Sequence, residues 1–258
     1  MSKPHYAALA AAGLLFLGLY FGLKTTPPSW EVKQQSRKLR GQQVSVDRLV
    51  EAAKSQLTLE ERAALSVLEH KAQTAANDLE RVEHLKTLSG WWYARGQWGI
   101  AGALAEEVAA LASTDSAWSV AGATYYQALQ REKDSRKRNY YAERAIRAFE
   151  SAASLAPDQP EHRVNVALVY AEDPPAENPM KAVQMLRDLE RQYPQSAAVY
   201  NALGRLALKT GQWERAIERL EKALALDPQN PHTPCLLVKA YTNAGYTDKA
   251  EALANRCR

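Results

Sequence analysis

Hydrophobic positions along the chain fall into two regimes. Residues 6–23 are 18 consecutive residues without a charge. From about Val44 onward apolar residues recur three and four apart, the period of an amphipathic helix. At about 1.5 Å per residue the uncharged run reaches roughly 27 Å, close to the ~30 Å hydrocarbon thickness of a bilayer. It predicts one transmembrane helix over 6–23. A cleaved signal peptide would carry an apolar stretch of only about 7–15 residues. The residues after this one, 22–28, offer no small-x-small cleavage site, so an uncleaved anchor is expected.

Charge sets the expected direction of that anchor. Only Lys3 and the amino terminus precede it, whereas Lys24, Lys33, Arg37, Lys38 and Arg40 follow it against Glu31 alone. Positive flanks stay on the cytoplasmic side. The expectation is therefore a single-pass protein of a bacterial-type inner membrane, its basic linker at 24–44 and its soluble part cytoplasmic. A periplasmic soluble part is the alternative. Gly18 and Gly22 make a G-x-x-x-G step that permits a weak homodimer in lipid. The stretch 33–40 lies where it could meet anionic headgroups, or it is a solvated linker that only fixes topology.

The helical part repeats. Residues 197–230, 34 in all, carry Tyr200, Leu203, Gly204, Gly211, Trp213, Ala216, Leu220, Ala223 and the pair Asp227-Pro228. The next frame, from Pro231, returns Gly245 at the offset of Gly211 and Ala250 at the offset of Ala216. These residues resemble the tetratricopeptide repeat family, whose unit is two antiparallel helices with small residues where they cross. The resemblance implies an all-α fold: an N-terminal transmembrane helix followed by a solenoid of helix pairs over 82–258. Five units are expected, at 82–114, 115–159, 160–196, 197–230 and 231–258. The third, at 37 residues, exceeds the family's 34 by three. Its excess falls where Pro174, Pro175 and Pro179 exclude a helix. The second, at 45 residues, exceeds the family's 34 by 11, which implies that both its helices overrun the solenoid edge around residues 131–138. At motif position eight stand Ser89, Gly122, Ala167, Gly204 and Val238, so the last pair is expected to pack less closely. Residues 45–81 lack the signature and read as an N-terminal helical cap, with helices at 46–56 and 59–76. Thr58 and Glu61 form a capping box.

Composition sharpens this picture. Of 258 residues 45 are Ala and only 3 are Phe. Alanine favours helices and is poor in strands, which argues against an all-β fold. A net charge of +4 is too mild to indicate a nucleic-acid binder, and no specific nucleic acid is expected. No catalytic constellation stands out. The five His are scattered, no C-x-x-C occurs, and the glycines of 90–99 lack the strand a dinucleotide site needs. No enzyme activity, metal or cofactor is expected. Cys235 and Cys257 fall on the two helices of the last unit, where antiparallel packing can bring them together. A cytoplasmic domain would keep them as thiols in the core; an outward-facing one would pair them.

In the resembled family the first helices line an inner face that receives extended peptide segments of other proteins. Carried onto this chain, the peptide-binding candidates are Asn165, Asn201, Arg205, Lys209, Lys239 and Asn243, with Leu168 among them. Arg205 and Lys239 hold equivalent positions in adjacent units. Asn offers both a donor and an acceptor to a peptide backbone, and Arg or Lys attracts carboxylates. Trp92 and Trp98 are expected in the core, with Trp91 and Tyr93 flanking them. The basic tip Arg136-Lys137-Arg138 reads as a solvated helix extension. The function implied is a membrane-anchored scaffold or adaptor for other proteins. The alternative is a periplasm-facing assembly factor for envelope or cytochrome biogenesis.

Overall fold

The computed structural model describes residues 44–257. The expected anchor at 6–23, the Gly18/Gly22 step and the stretch 33–40 lie outside the described residues. Among the described residues no helix is long and apolar enough to cross a membrane.

Val44–Arg258 form one unit. Its described residues hold twelve helices and no strand. They are α1 (Val46–Ser55), α2 (Leu59–Gln73), α3 (Asp78–Ala94), α4 (Trp98–Ala112), α5 (Asp115–Arg131), α6 (Ser135–Leu155), α7 (Pro160–Glu172), α8 (Lys181–Gln192), α9 (Ala197–Lys209), α10 (Trp213–Leu226), α11 (Thr233–Ala244) and α12 (Thr247–Ala254). Local chemistry sets their starts. The Thr58 side chain accepts from the Glu61 backbone while Glu61 answers the Thr58 backbone, the reciprocal box expected there. Asn77, Thr114, Asp134 and Ser196 cap four more helices through side-chain oxygens. Asn77 starts α3 at Asp78, ahead of the unit boundary expected at 82. Pro160 opens α7, where its missing N–H costs nothing. Gly96, Gly211 and Gly245 turn the chain between paired helices at φ +72, +70 and +82, a region that side chains with a Cβ rarely enter.

From α2 onward each helix packs on the next. α1 turns back instead onto α4. The first helices α5, α7, α9 and α11 also touch in series, while the second helices α6, α8 and α10 form no comparable row. The stack therefore curves with the first helices on its inner side.

Small residues make the close crossings possible. A Cβ on Gly204 would come 2.5 Å from Leu220, and one on Gly122 would come 2.7 Å from Phe149. Ala145, Ala182, Ala216 and Ala250, one per unit at the same repeat position, are all buried. The excess length of the second unit goes into its helices. α5 and α6 run 17 and 21 residues, against 13 and 14 for α9 and α10. The excess of the third goes into the connection between α7 and α8.

Candidate functional site

The six candidate residues lie on α7, α9 and α11, three neighbouring first helices. Arg205 of α9 is exposed, yet its charge acts on the Tyr126 hydroxyl of α5. Burial pushes the pKa of that hydroxyl up, and the Arg205 guanidinium beside it pulls the other way. Side chains from α5 and α9 thus come near each other across α7, the first helix between them in the row. Lys239 and Asn243 are exposed one turn apart on α11, where Asn243 Nδ2 donates to the Lys239 carbonyl at 2.7 Å. Asn165 is half-buried, and its side chain makes no hydrogen bond among the described residues. Leu168 is spent on packing against the core of the third and fourth units.

Two candidates are engaged by the fold itself. Asn201 Oδ1 accepts from the Thr233 hydroxyl at 2.9 Å, joining α9 to the start of α11. Thr233 is fully buried, so Asn201 satisfies a hydroxyl that would otherwise have been stranded. Lys209 Nζ donates to the Ala171 carbonyl at 2.8 Å and meets Glu172 Oε2 at 3.0 Å.

Glu172, absent from the sequence-derived set, is the centre of this end of the inner face. Besides Lys209 it draws Arg138 of α6, 3.8 Å from its other carboxylate oxygen. Arg138 also donates to the carbonyls of Leu129 (2.9 Å), Glu132 (3.3 Å) and Glu172 (3.1 Å). Two cations therefore sit on the carbonyl-rich ends of α5 and α7, where the helix dipole favours positive charge. Arg138 consequently does not join Arg136 and Lys137 on a solvated basic tip: its guanidinium turns inward. The signal available in the sequence was only the long α5–α6 hairpin, which carries Arg138 to the level of the α7 end.

Tyrosines dominate between the first and second units. Tyr125 is fully buried and donates to Glu106 Oε2 at 2.9 Å, and Arg144 pairs with the same carboxylate. Burial pushes the Tyr125 hydroxyl far up, and the nearby Tyr140 and Glu106 add to it. Trp92 is buried as expected, while Trp98 is half-buried with the Arg131 guanidinium 4.9 Å from its ring centre. Trp91 is half-buried under the Arg95 guanidinium, 3.6 Å from the ring centre, and Tyr93 is exposed.

At the other end, Cys235 of α11 and Cys257, just past α12, form a disulfide. Of the two alternatives the sequence left open, core thiols or a pair, the structure has the pair. The return of α12 along α11 brings the two Cα atoms to 4.7 Å, within bridging range. Cys257 is exposed, so it contributes little packing as a thiol.

Comparisons with known proteins place part of this arrangement. The tetratricopeptide repeat family model matches residues 207–257. No curated protein matches the sequence. Similar solved structures include TTC0263, a thermophilic TPR protein of Thermus thermophilus, at 18% identity and TM-score 0.49, covering 77% of this chain and 100% of that one. BtubC (BKLC) from P. vanneervenii is 22% identical at TM-score 0.46, covering 78% and 90%. The APC/C hetero-tetramer Cut9-Hcn1 is 14% identical at TM-score 0.49, and this chain spans 36% of the matched chain. The matched residues run from the end of α9 through α12, where the 34-residue spacing is undisturbed. The insertions in the second and third units interrupt that spacing upstream. Residues 207–257 are thus the part that matches the tetratricopeptide repeat family model, and they lie at the C-terminal end of an all-helical stack that repeats the same pairing.

Proposed function

We propose that this protein is a membrane-tethered scaffold that holds extended segments of other proteins along the inner row of α7, α9 and α11. Tetratricopeptide repeats commonly bind other proteins. The observation that carries the reading is the pair Arg205 and Lys239. They occupy equivalent repeat positions, stay exposed, and are matched by no carboxylate ion pair among the described residues. Asn165 adds an uncommitted amide beside them. Lys209 and Asn201 are better described as parts that shape the row, because the fold already uses their polar atoms. A partner segment carrying carboxylates gains from both cations without displacing an internal pair. Capture of partners by the intact anchored protein, compared with the Arg205→Glu/Lys239→Glu variant, tests this. A reproducible set of proteins lost from the variant supports the row; an unchanged set removes it.

For orientation, the disulfide favours the second of the two readings. Disulfides persist in oxidising compartments and are rare in the cytosol. The soluble part is then on the extracytoplasmic side of the anchor proposed at 6–23, in keeping with an envelope assembly role. Trapping thiols with a mass-adding alkylating reagent in intact cells tests it. The reading requires Cys235 and Cys257 to stay unlabelled until a reductant is added, and labelling without reductant opposes it.

A further inference from the structure

Across the stack from the inner row, a cleft opens between α8 and α10, at the point where the α7–α8 connection is lengthened. At about 100° per residue, Leu203 and Leu206 of α9 lie on the side of that helix away from Asn201 and Arg205. They line the cleft together with Tyr170 of α7. Met180 closes one end and is 55% exposed, a large apolar side chain that the fold leaves in water. The space measures about 530 Å³, enough for one or two side chains of an incoming segment.

The charges around this apolar floor are unbalanced. Arg219 is neutralised by Glu190, and Lys209 by Glu172. Arg187 of α8 and Arg215 of α10 line the cleft, are exposed, and have no carboxylate partner among the described residues. The only acceptor for the Arg215 guanidinium among those residues is Gln212 Oε1, at 2.6 Å. Lys181, at the start of α8, rests over the Tyr170 ring at 3.9 Å and likewise has no ion pair there. Uncompensated cations thus surround an apolar floor at a point where the fold needs neither.

We infer that this outer cleft is a second docking site, taking a segment of a partner protein in which apolar side chains alternate with carboxylates. The apolar side chains bury against Leu203, Leu206 and Tyr170. The carboxylates pair with Arg187 and Arg215. A cationic segment is repelled, and a polar acidic one gains no burial. The site does not use Arg205 or Lys239, so its failure and that of the inner row are distinguishable; Lys209 borders both and is already paired with Glu172.

The test is fluorescence anisotropy with the full-length chain in nonionic detergent and a labelled hexapeptide alternating Glu and Leu. We expect saturable binding that weakens with added salt. Arg187→Glu/Arg215→Glu should weaken it about tenfold or more while leaving the melting temperature unchanged, since both side chains are exposed. Arg205→Glu/Lys239→Glu should leave it intact. Hexapeptides alternating Lys with Leu, or Glu with Ser, should bind far less. The inference is overturned if the Glu/Leu peptide does not bind, if the cleft variant binds it as well as the native chain, if the inner-row variant loses it instead, or if the Lys/Leu peptide binds equally.

Discussion

The two ends of the helical stack solve the same packing problem with different materials. Between α3 and α6 large rings fill the space: Trp92, Tyr125, Tyr141 and Phe149 are buried, with Tyr125 against Gly102 and Phe149 against Gly122. The helices there run 15 to 21 residues and bury enough surface to hold one another. Between α9 and α12 small and aliphatic residues make up most of the filling, with Tyr200 and Tyr241 as the buried rings, and the helices shorten to 8 residues in α12. Isolated helices that short are unstable in water, and α12 buries only Ala250 fully. The N-terminal end is therefore held by side-chain volume, whereas the C-terminal end needs a covalent tie.

Removing volume from the first region should have the largest effect. Phe149→Ala empties a ring site that is 2% exposed and should cost about 3–5 kcal/mol in urea unfolding. A loss below ~1 kcal/mol would mean that the rings are not the main filler. Cys235→Ser with Cys257→Ser should cost about 3 kcal/mol, as expected for a closed loop of roughly this size. The loss should be local. Hydrogen exchange should quicken in α12 and the end of α11 and stay unchanged in α5 and α6; uniform quickening would contradict a local tie. Ala216→Leu, at a fully buried crossing, should cost about 1–3 kcal/mol by overpacking, and an unchanged melting temperature would refute the repeat register.

Both regions also share a pH dependence. Burial pushes the Tyr141 hydroxyl up to about 12, helped by the charges of Glu132 and Tyr140. Burial and the hydrogen bond to Glu221 push Tyr241 up to about 12. In the unfolded chain a tyrosine loses its proton near pH ~10. The folded state then binds more protons between about pH 10 and 12, so this contribution is complete below pH ~10 and falls away as pH rises towards 12. Phenolate absorbance should therefore rise in two stages, solvent-exposed tyrosines first and the buried ones only as the chain unfolds. A single titration near pH ~10 would contradict it.

Much of the fold was legible because alanine and glycine recur at fixed offsets. Gly204, Gly211 and Ala216 announce a close crossing and a tight turn without any knowledge of neighbours. The insertions were legible as well, since Pro174, Pro175 and Pro179 cannot continue a helix. What escaped depends on contacts between units. That Asn201 would meet Thr233 follows from the offset of α11 against α9, which no local pattern encodes. The inward turn of Arg138 and the central place of Glu172 follow from how far the α5–α6 hairpin reaches over α7. The cysteine pairing was open in the sequence because it depends on where a short α12 ends relative to α11.

The proposal of an inner binding row is tested most directly by site-specific photocrosslinking in living cells. A photoreactive amino acid is placed in turn at Arg205, at Lys239, and at Glu214 on the exposed surface of α10. We expect positions 205 and 239 to yield the same partner adduct, with none at 214. Failure of both inner positions to crosslink, or an equal adduct at 214, would contradict a partner held along α7, α9 and α11.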